Sequence, residues 1–210
     1  MPSPPALAGT HAPFPLPFKP TALNGISEKM IVSHHDNNYG GAVKNLNKAE
    51  QELSQINAET PPFVVAGLRQ SELTFRNSKT LHEAYFGNLG GDGKRSGGIE
   101  KALTEAYGTS SRWEEHFRAT GAGLGGGSGW VVVALELETA ALRTVWSGNH
   151  TQVLATSIPL LVMDMYEHAY QMDFGAAAAK YVDTFFLNIR WDEVNHRHER
   201  ALAAAKVLRG

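Results

Sequence analysis

The chain has 210 residues, 42% of them hydrophobic, with a net charge of −2 at pH 7 and no cysteine. That length suits one large domain or two small ones sharing an interface, and the near-neutral balance leaves no footprint for nucleic acid or an anionic membrane surface. The missing thiols exclude disulfides, thiolate catalysis, zinc ribbons and iron–sulfur clusters, and no apolar run reaches the ~18 residues that a membrane span needs.

Residues 1–20, MPSPPALAGTHAPFPLPFKP, are proline-rich and lack both a basic and an apolar signal region, so an extended arm and a cytoplasmic location are expected. A turn at 23–27 leads into a helix with Ser27 as its N-cap. From 28 to about 55, Met30, Ile31, Ala42, Val43, Leu46 and Leu53 recur at helical spacing. The insert SHHDNNYGG interrupts them. Gly40 and Gly41 weaken a helix by ~2 kcal/mol relative to alanines, which predicts a kink or a non-helical turn near Tyr39. Thr60-Pro61-Pro62 breaks the chain, and a second helix runs from about 62 into the 80s. The glycine-rich stretch 90–98 is the best boundary, giving an arm (1–20), an α-hairpin domain (21–90) and a C-terminal α/β domain (91–210). In the last of these, helices are expected at 99–107 and at 110–120, the second capped by Ser110 or Ser111. Strands are expected at 130–137, 142–146 and 158–164, as an antiparallel meander covered by helices. An alanine-rich segment at 175–188 precedes a last helix, 191 to about 208, capped by Asp192. The fold class is α+β: an N-terminal helical hairpin and a C-terminal α/β part around a three-stranded antiparallel sheet.

Chemistry concentrates in SIPLLVMDMYEHAYQMDF, residues 157–174. Asp164 ends the apolar strand and His168 follows four residues later, on the first turn of the next element. An oxygen and a nitrogen donor from so short a segment suit a first-row metal. More imidazoles are available: His34 and His82 stand on the two N-terminal helices, and an antiparallel pairing brings them face to face. His116, His196 and His198 sit among charges and read as solvated surface residues, and His11 belongs to the arm. The run GAGLGGGSG is no phosphate cradle, because a strand follows it and no Lys-Ser/Thr pair does.

These residues carry a resemblance. DMYEHAY resembles the D-x-W-E-H-A-Y signature of the iron/manganese superoxide dismutase family, and SHHDNNYGGAVKNLN its first ligand segment. LHEAYFGNL, GSGW at 127–130 and NIRWDEVNHRHERA are similar to three more of its motifs, all in the family's order. The resemblance implies His34, His82, Asp164 and His168 as ligands of one iron or manganese ion per subunit, with superoxide as substrate. It implies a homodimer or tetramer in which Glu167 reaches the ligand His168 of a second copy. Trp130, Tyr166 and Phe86 then surround the site, with Tyr166 and Phe86 where the family usually has tryptophan.

The departures cluster at the approach to the metal. Where the family has a histidine and two tyrosines, this chain has Asn38, Ala42 and Gln171. The family's outer-sphere glutamine is missing from both its usual places, which hold Ser78 and Gly148. His150 is the candidate replacement and Gln152 the runner-up. Tyr39 is expected to turn its hydroxyl into the vacated volume. Asn and Gln hydrogen-bond without titrating near neutral pH, so an intact metal site with altered peroxide-forming chemistry is expected. The alternative is a family member that holds metal with weak or no turnover. A mononuclear iron oxygenase needs only two histidines and a carboxylate, and the third histidine argues against it.

Overall fold

The structure is a computed structural model that describes residues 6–210; residues 1–5 of the expected arm lie outside the described residues. The rest of the arm is extended as far as a short 3-10 turn at Pro20–Ala22. The Ser27 hydroxyl accepts the Met30 N–H at 3.1 Å and so starts α1 (Glu28–Ser33). The disturbance expected near Tyr39 takes the form of a widened π-helical turn, His34–Tyr39, from which α2 (Gly40–Leu53) continues without a break. The disturbed hydrogen bonding falls one turn ahead of the glycines. Burial of Tyr39, Ala42, Val43 and Leu46 keeps the glycines themselves helical. Antiparallel to α2 runs α3 (Pro62–Gly87), with a proline at its first position. Its 26 residues span about 39 Å, and its buried residues all lie in the last ten, from Ser78 onward.

The stretch after α3 is tied down. Leu89 bridges Ile189, and the N–H groups of Gly91 and Gly93 donate to the carbonyls of Asn188 (3.0 Å) and Ile189 (3.1 Å). A Cβ on Gly91 would stand 2.3 Å from the Ile189 carbonyl oxygen, so only glycine permits this approach. α4 (Gly98–Tyr107) and α5 (Ser110–Ala122) follow. Thr109, not Ser110 or Ser111, caps α5: its backbone is extended while Ser110 is already helical, and its hydroxyl accepts the Arg112 N–H at 3.0 Å.

Strands β1 (Trp130–Glu136), β2 (Leu142–Ser147) and β3 (Ser157–Asp164) are all paired antiparallel, but in the order β2-β1-β3 and not as a meander. β1 is buried on both faces as far as Leu135 and takes the centre, whereas β2 exposes Arg143 and Trp146 and takes an edge. Pro159 has no N–H to give, and β1 shifts register opposite it, between Val133 and Ala134. Past β3 come a 3-10 turn at Glu167–Ala169, then α6 (Gln171–Phe174), α7 (Ala178–Phe186) and α8 (Trp191–Leu208). Asp192 lies inside the first turn of α8, where it favours the helix dipole without capping; Arg190 occupies the cap position. One apolar core runs from Ile26 and Met30 through Trp113 and the sheet to Ala205. Among the described residues, no helix is long and apolar enough to cross a membrane.

Candidate metal centre

Four side chains converge where the hairpin meets the sheet. His34 opens the π-helical turn, His82 lies on the buried C-terminal end of α3, Asp164 ends β3, and His168 stands on the 3-10 turn. Each offers a donor atom, and the four atoms lie within 4.8 Å of one another. From Asp164 Oδ2 the Nε2 atoms of His34, His168 and His82 are 3.1, 3.2 and 3.6 Å away. Donors bound about 2.1 Å from one first-row ion at 90–120° to each other stand about 3.0–3.6 Å apart, which the three spacings from Asp164 match. The tautomer of His82 makes the same point. Its Nδ1 lies 2.7 Å from the Ser78 carbonyl, which only accepts, so Nδ1 carries the proton and Nε2 a bare lone pair. That Nε2 is buried, has no hydrogen-bond partner and faces a carboxylate oxygen. Two acceptors facing each other out of water need a cation between them.

The electrostatics agree. Burial pushes the His82 imidazole down to about 3, helped by His34 beside it, and burial likewise lowers His34, so both rings are neutral ligands at pH 7. Burial alone would raise Asp164, but the His168 and His34 rings outweigh it and hold the carboxyl well below the usual carboxylate range. Three imidazoles and one carboxylate suit iron, manganese or another first-row ion.

Around the donors stands an aromatic wall. The ring of Phe86 lies 5.0 Å from that of His34, Trp130 meets His82 edge-on at 5.0 Å, and Tyr166 stacks between His168 (5.3 Å) and His150 (4.8 Å). His150 is thus beside the cluster, half-buried, with burial lowering its pKa. The Trp130 indole N–H donates to His150 Nδ1 at 3.0 Å, which leaves the ring proton on Nε2. Gln152 is turned away, accepting the Gly148 N–H at 2.9 Å in an exposed loop. Ser78 contributes its carbonyl to His82, with its hydroxyl 3.3 Å from the same Nδ1.

The residues in the changed positions lie apart from one another in exposure: Asn38 half-buried, Ala42 buried, Gln171 exposed at the start of α6. The Tyr39 hydroxyl is engaged away from the vacated volume, accepting the Phe14 N–H and donating to Glu83 Oε1, both at 2.8 Å. Glu167 is exposed beside His168. His116 and His196 are exposed as expected, but His198 is buried, because it faces inward on α8 where His196 faces out. Sequence reasoning passed over Tyr85, whose ring packs 5.2 Å from His34 and whose hydroxyl accepts from Tyr181 at 3.1 Å. Its position three residues after His82, on the same helix face, was the available signal; Tyr181 offered none.

The chain is similar to known proteins over most of its length. Residues 95–197 match the family described as "Iron/manganese superoxide dismutases, C-terminal domain". The chain is 44% identical to "Superoxide dismutase [Fe]" of Cupriavidus metallidurans, covering 90% of this chain and 96% of that protein. It is 32% identical to "Superoxide dismutase [Fe]" of Aquifex aeolicus, over 91% and 93% of the two chains. It is also 32% identical to "Superoxide dismutase [Mn] 2" of Haloferax volcanii, over 90% and 95%.

Proposed function

The chain belongs to the iron/manganese superoxide dismutase family, and we propose that it converts two superoxide ions and two protons into O2 and H2O2 at one iron or manganese ion per subunit. The observation that carries the reading is the buried His82 lone pair facing the Asp164 carboxylate, with His34 and His168 closing the group. These four residues would hold the ion, which when bound supplies the one-electron chemistry. The remaining work falls to the protein. The His34 and His82 imidazoles stay neutral through burial, and the wall of Phe86, Trp130 and Tyr166 limits access to small molecules. His150, with its proton held on Nε2 by Trp130, is the outer-sphere donor. Asn38 and Gln171 hydrogen-bond without titrating near neutral pH and Ala42 contributes no polar group, so peroxide formation draws its protons from His150 and solvent.

Glu167, exposed next to His168, is the contact through which two copies form a homodimer, its carboxylate accepting from the equivalent ring of the second copy. Protein loaded separately with iron and with manganese, mixed with superoxide in a stopped-flow instrument, tests the activity. Catalysed decay that disappears in His82→Ala supports it. Stoichiometric metal without catalysed decay would leave a metal-holding protein instead.

A further inference from the structure

A single residue of the N-terminal arm joins the two helical segments that carry His34 and His82. The Phe14 N–H donates to the Tyr39 hydroxyl at 2.8 Å, and that hydroxyl donates to Glu83, the residue after His82. The Phe14 carbonyl accepts from Nε2 of His35, the residue after His34, also at 2.8 Å. His35 and Tyr39 both belong to the π-helical turn His34–Tyr39, so one peptide segment grips that turn near both ends. The arm is itself anchored upstream. Asn47 exchanges two hydrogen bonds with the His11 backbone, at 2.8 and 2.9 Å, and Glu50 accepts the Gly9 N–H at 2.8 Å.

A π-helical turn is rare and appears mostly as a single-turn bulge inside an α-helix, frequently at a functional site. Losing its extra residue would rotate α2 by about 100° relative to α1, because each α-helical residue turns by that angle. His34 and Tyr39 then could not both keep their places, with Tyr39 packed against Phe86 and His82 and with His34 beside Asp164. We propose that the docked arm is a working part of the metal site: through its backbone, Phe14 fixes the wide turn and so positions His34 and His82 as ligands. This rests on the functional reading above. The role belongs to the Phe14 peptide groups, since its side chain is 63% exposed, with the Lys79 ammonium 5.6 Å from the ring centre.

Replacing Phe14 with proline deletes the N–H and keeps the carbonyl, in a segment already flanked by Pro13 and Pro15. Phe14→Ala, which keeps both peptide groups, is the reference. Iron-loaded proteins are challenged with excess chelator and the ferric electron paramagnetic resonance spectrum is recorded. Phe14→Pro is expected to release iron about two- to tenfold faster than Phe14→Ala, the range that one net hydrogen bond supplies, and to show a changed rhombicity. Tyr39→Phe removes the same bond from its other end, together with the bond to Glu83, while keeping the buried ring, and the double variant is expected to be no worse than Tyr39→Phe alone. Equal release and identical spectra for Phe14→Pro and Phe14→Ala would overturn the inference, as would full additivity with Tyr39→Phe. A wild-type chain that holds no stoichiometric metal would overturn the functional reading and this inference with it. Wild-type metal content with an unresponsive Phe14→Pro sinks this inference alone.

Discussion

Trp130→Phe separates the structural from the chemical work of the aromatic wall. Trp130 is fully buried, meets His82 edge-on and donates to His150 Nδ1 at 3.0 Å. Phenylalanine keeps an aromatic ring on β1 but removes the donor and leaves part of the indole volume empty. Losing the hydrogen bond is worth about 1 kcal/mol, near the lower bound because half-buried His150 can take a water in exchange. The void adds about 1–2 kcal/mol, since neighbours on a central strand relax only partly. A sum of about 2–3 kcal/mol lowers the melting temperature of a chain this size by about 5–10 °C. The chemical effect is independent of that sum. With Nδ1 no longer held as an acceptor, the proton is free to leave Nε2, and His150 becomes a mixture of tautomers. Nitrogen-15 spectra of the metal-free protein report the ring protonation directly, and calorimetry reports the melting temperature. A variant that melts within about 1 °C of wild type, or whose His150 keeps a single Nε2–H tautomer, would refute the reasoning.

Three other outcomes are expected. Introducing Asn38→His, Ala42→Tyr and Gln171→Tyr together should supply the proton-donating groups that the family has at these positions and speed the proton-dependent half of turnover; stopped-flow decay with a shorter product-inhibited phase checks it. Removing the metal should lower stability by about 4 kcal/mol when free ion had been present at about a thousand times its dissociation constant, a fall of about 8–16 °C by calorimetry. Burial alone would raise Glu50, but His11, the Gly9 N–H and Arg76 outweigh it and lower its carboxyl below the ordinary 4.5. A lowered folded-state pKa contributes stability that is present above the ordinary value and lost as pH falls through the folded one. Glu50→Gln should therefore melt lower than wild type at pH 7, with the difference shrinking below pH 4.5 in thermal melts across pH.

The donor set was legible through the motifs around it: the family resemblance singled out His34, His82, Asp164 and His168, whereas Asp164 and His168 by themselves also fit a helix start beside a partly buried histidine. The surroundings were legible to different degrees. The glycine pair announced a disturbed helix near Tyr39, but no local propensity shows that the disturbance is a π-helical turn. In Thr109-Ser110-Ser111 all three residues are good caps, and only the backbone decides which one precedes the helix. The strand order was present in the composition, since WVVVAL has no polar face and LRTVWS has one; a strand buried on both sides belongs at the centre. Buried His198 was hidden by its charged neighbours, which point the other way around α8. The Phe14 contacts run through backbone groups, which every residue possesses, so no sequence pattern marks them.

One ion held by four donors from distant parts of the chain is the central claim. Anomalous diffraction from crystals of the metal-loaded protein, recorded on either side of the iron and manganese absorption edges, measures this directly. A single peak is predicted about 2.0–2.2 Å from Nε2 of His34, His82 and His168 and from Oδ2 of Asp164. A peak elsewhere, or none, with the His34 and His82 rings turned away from Asp164, would contradict it.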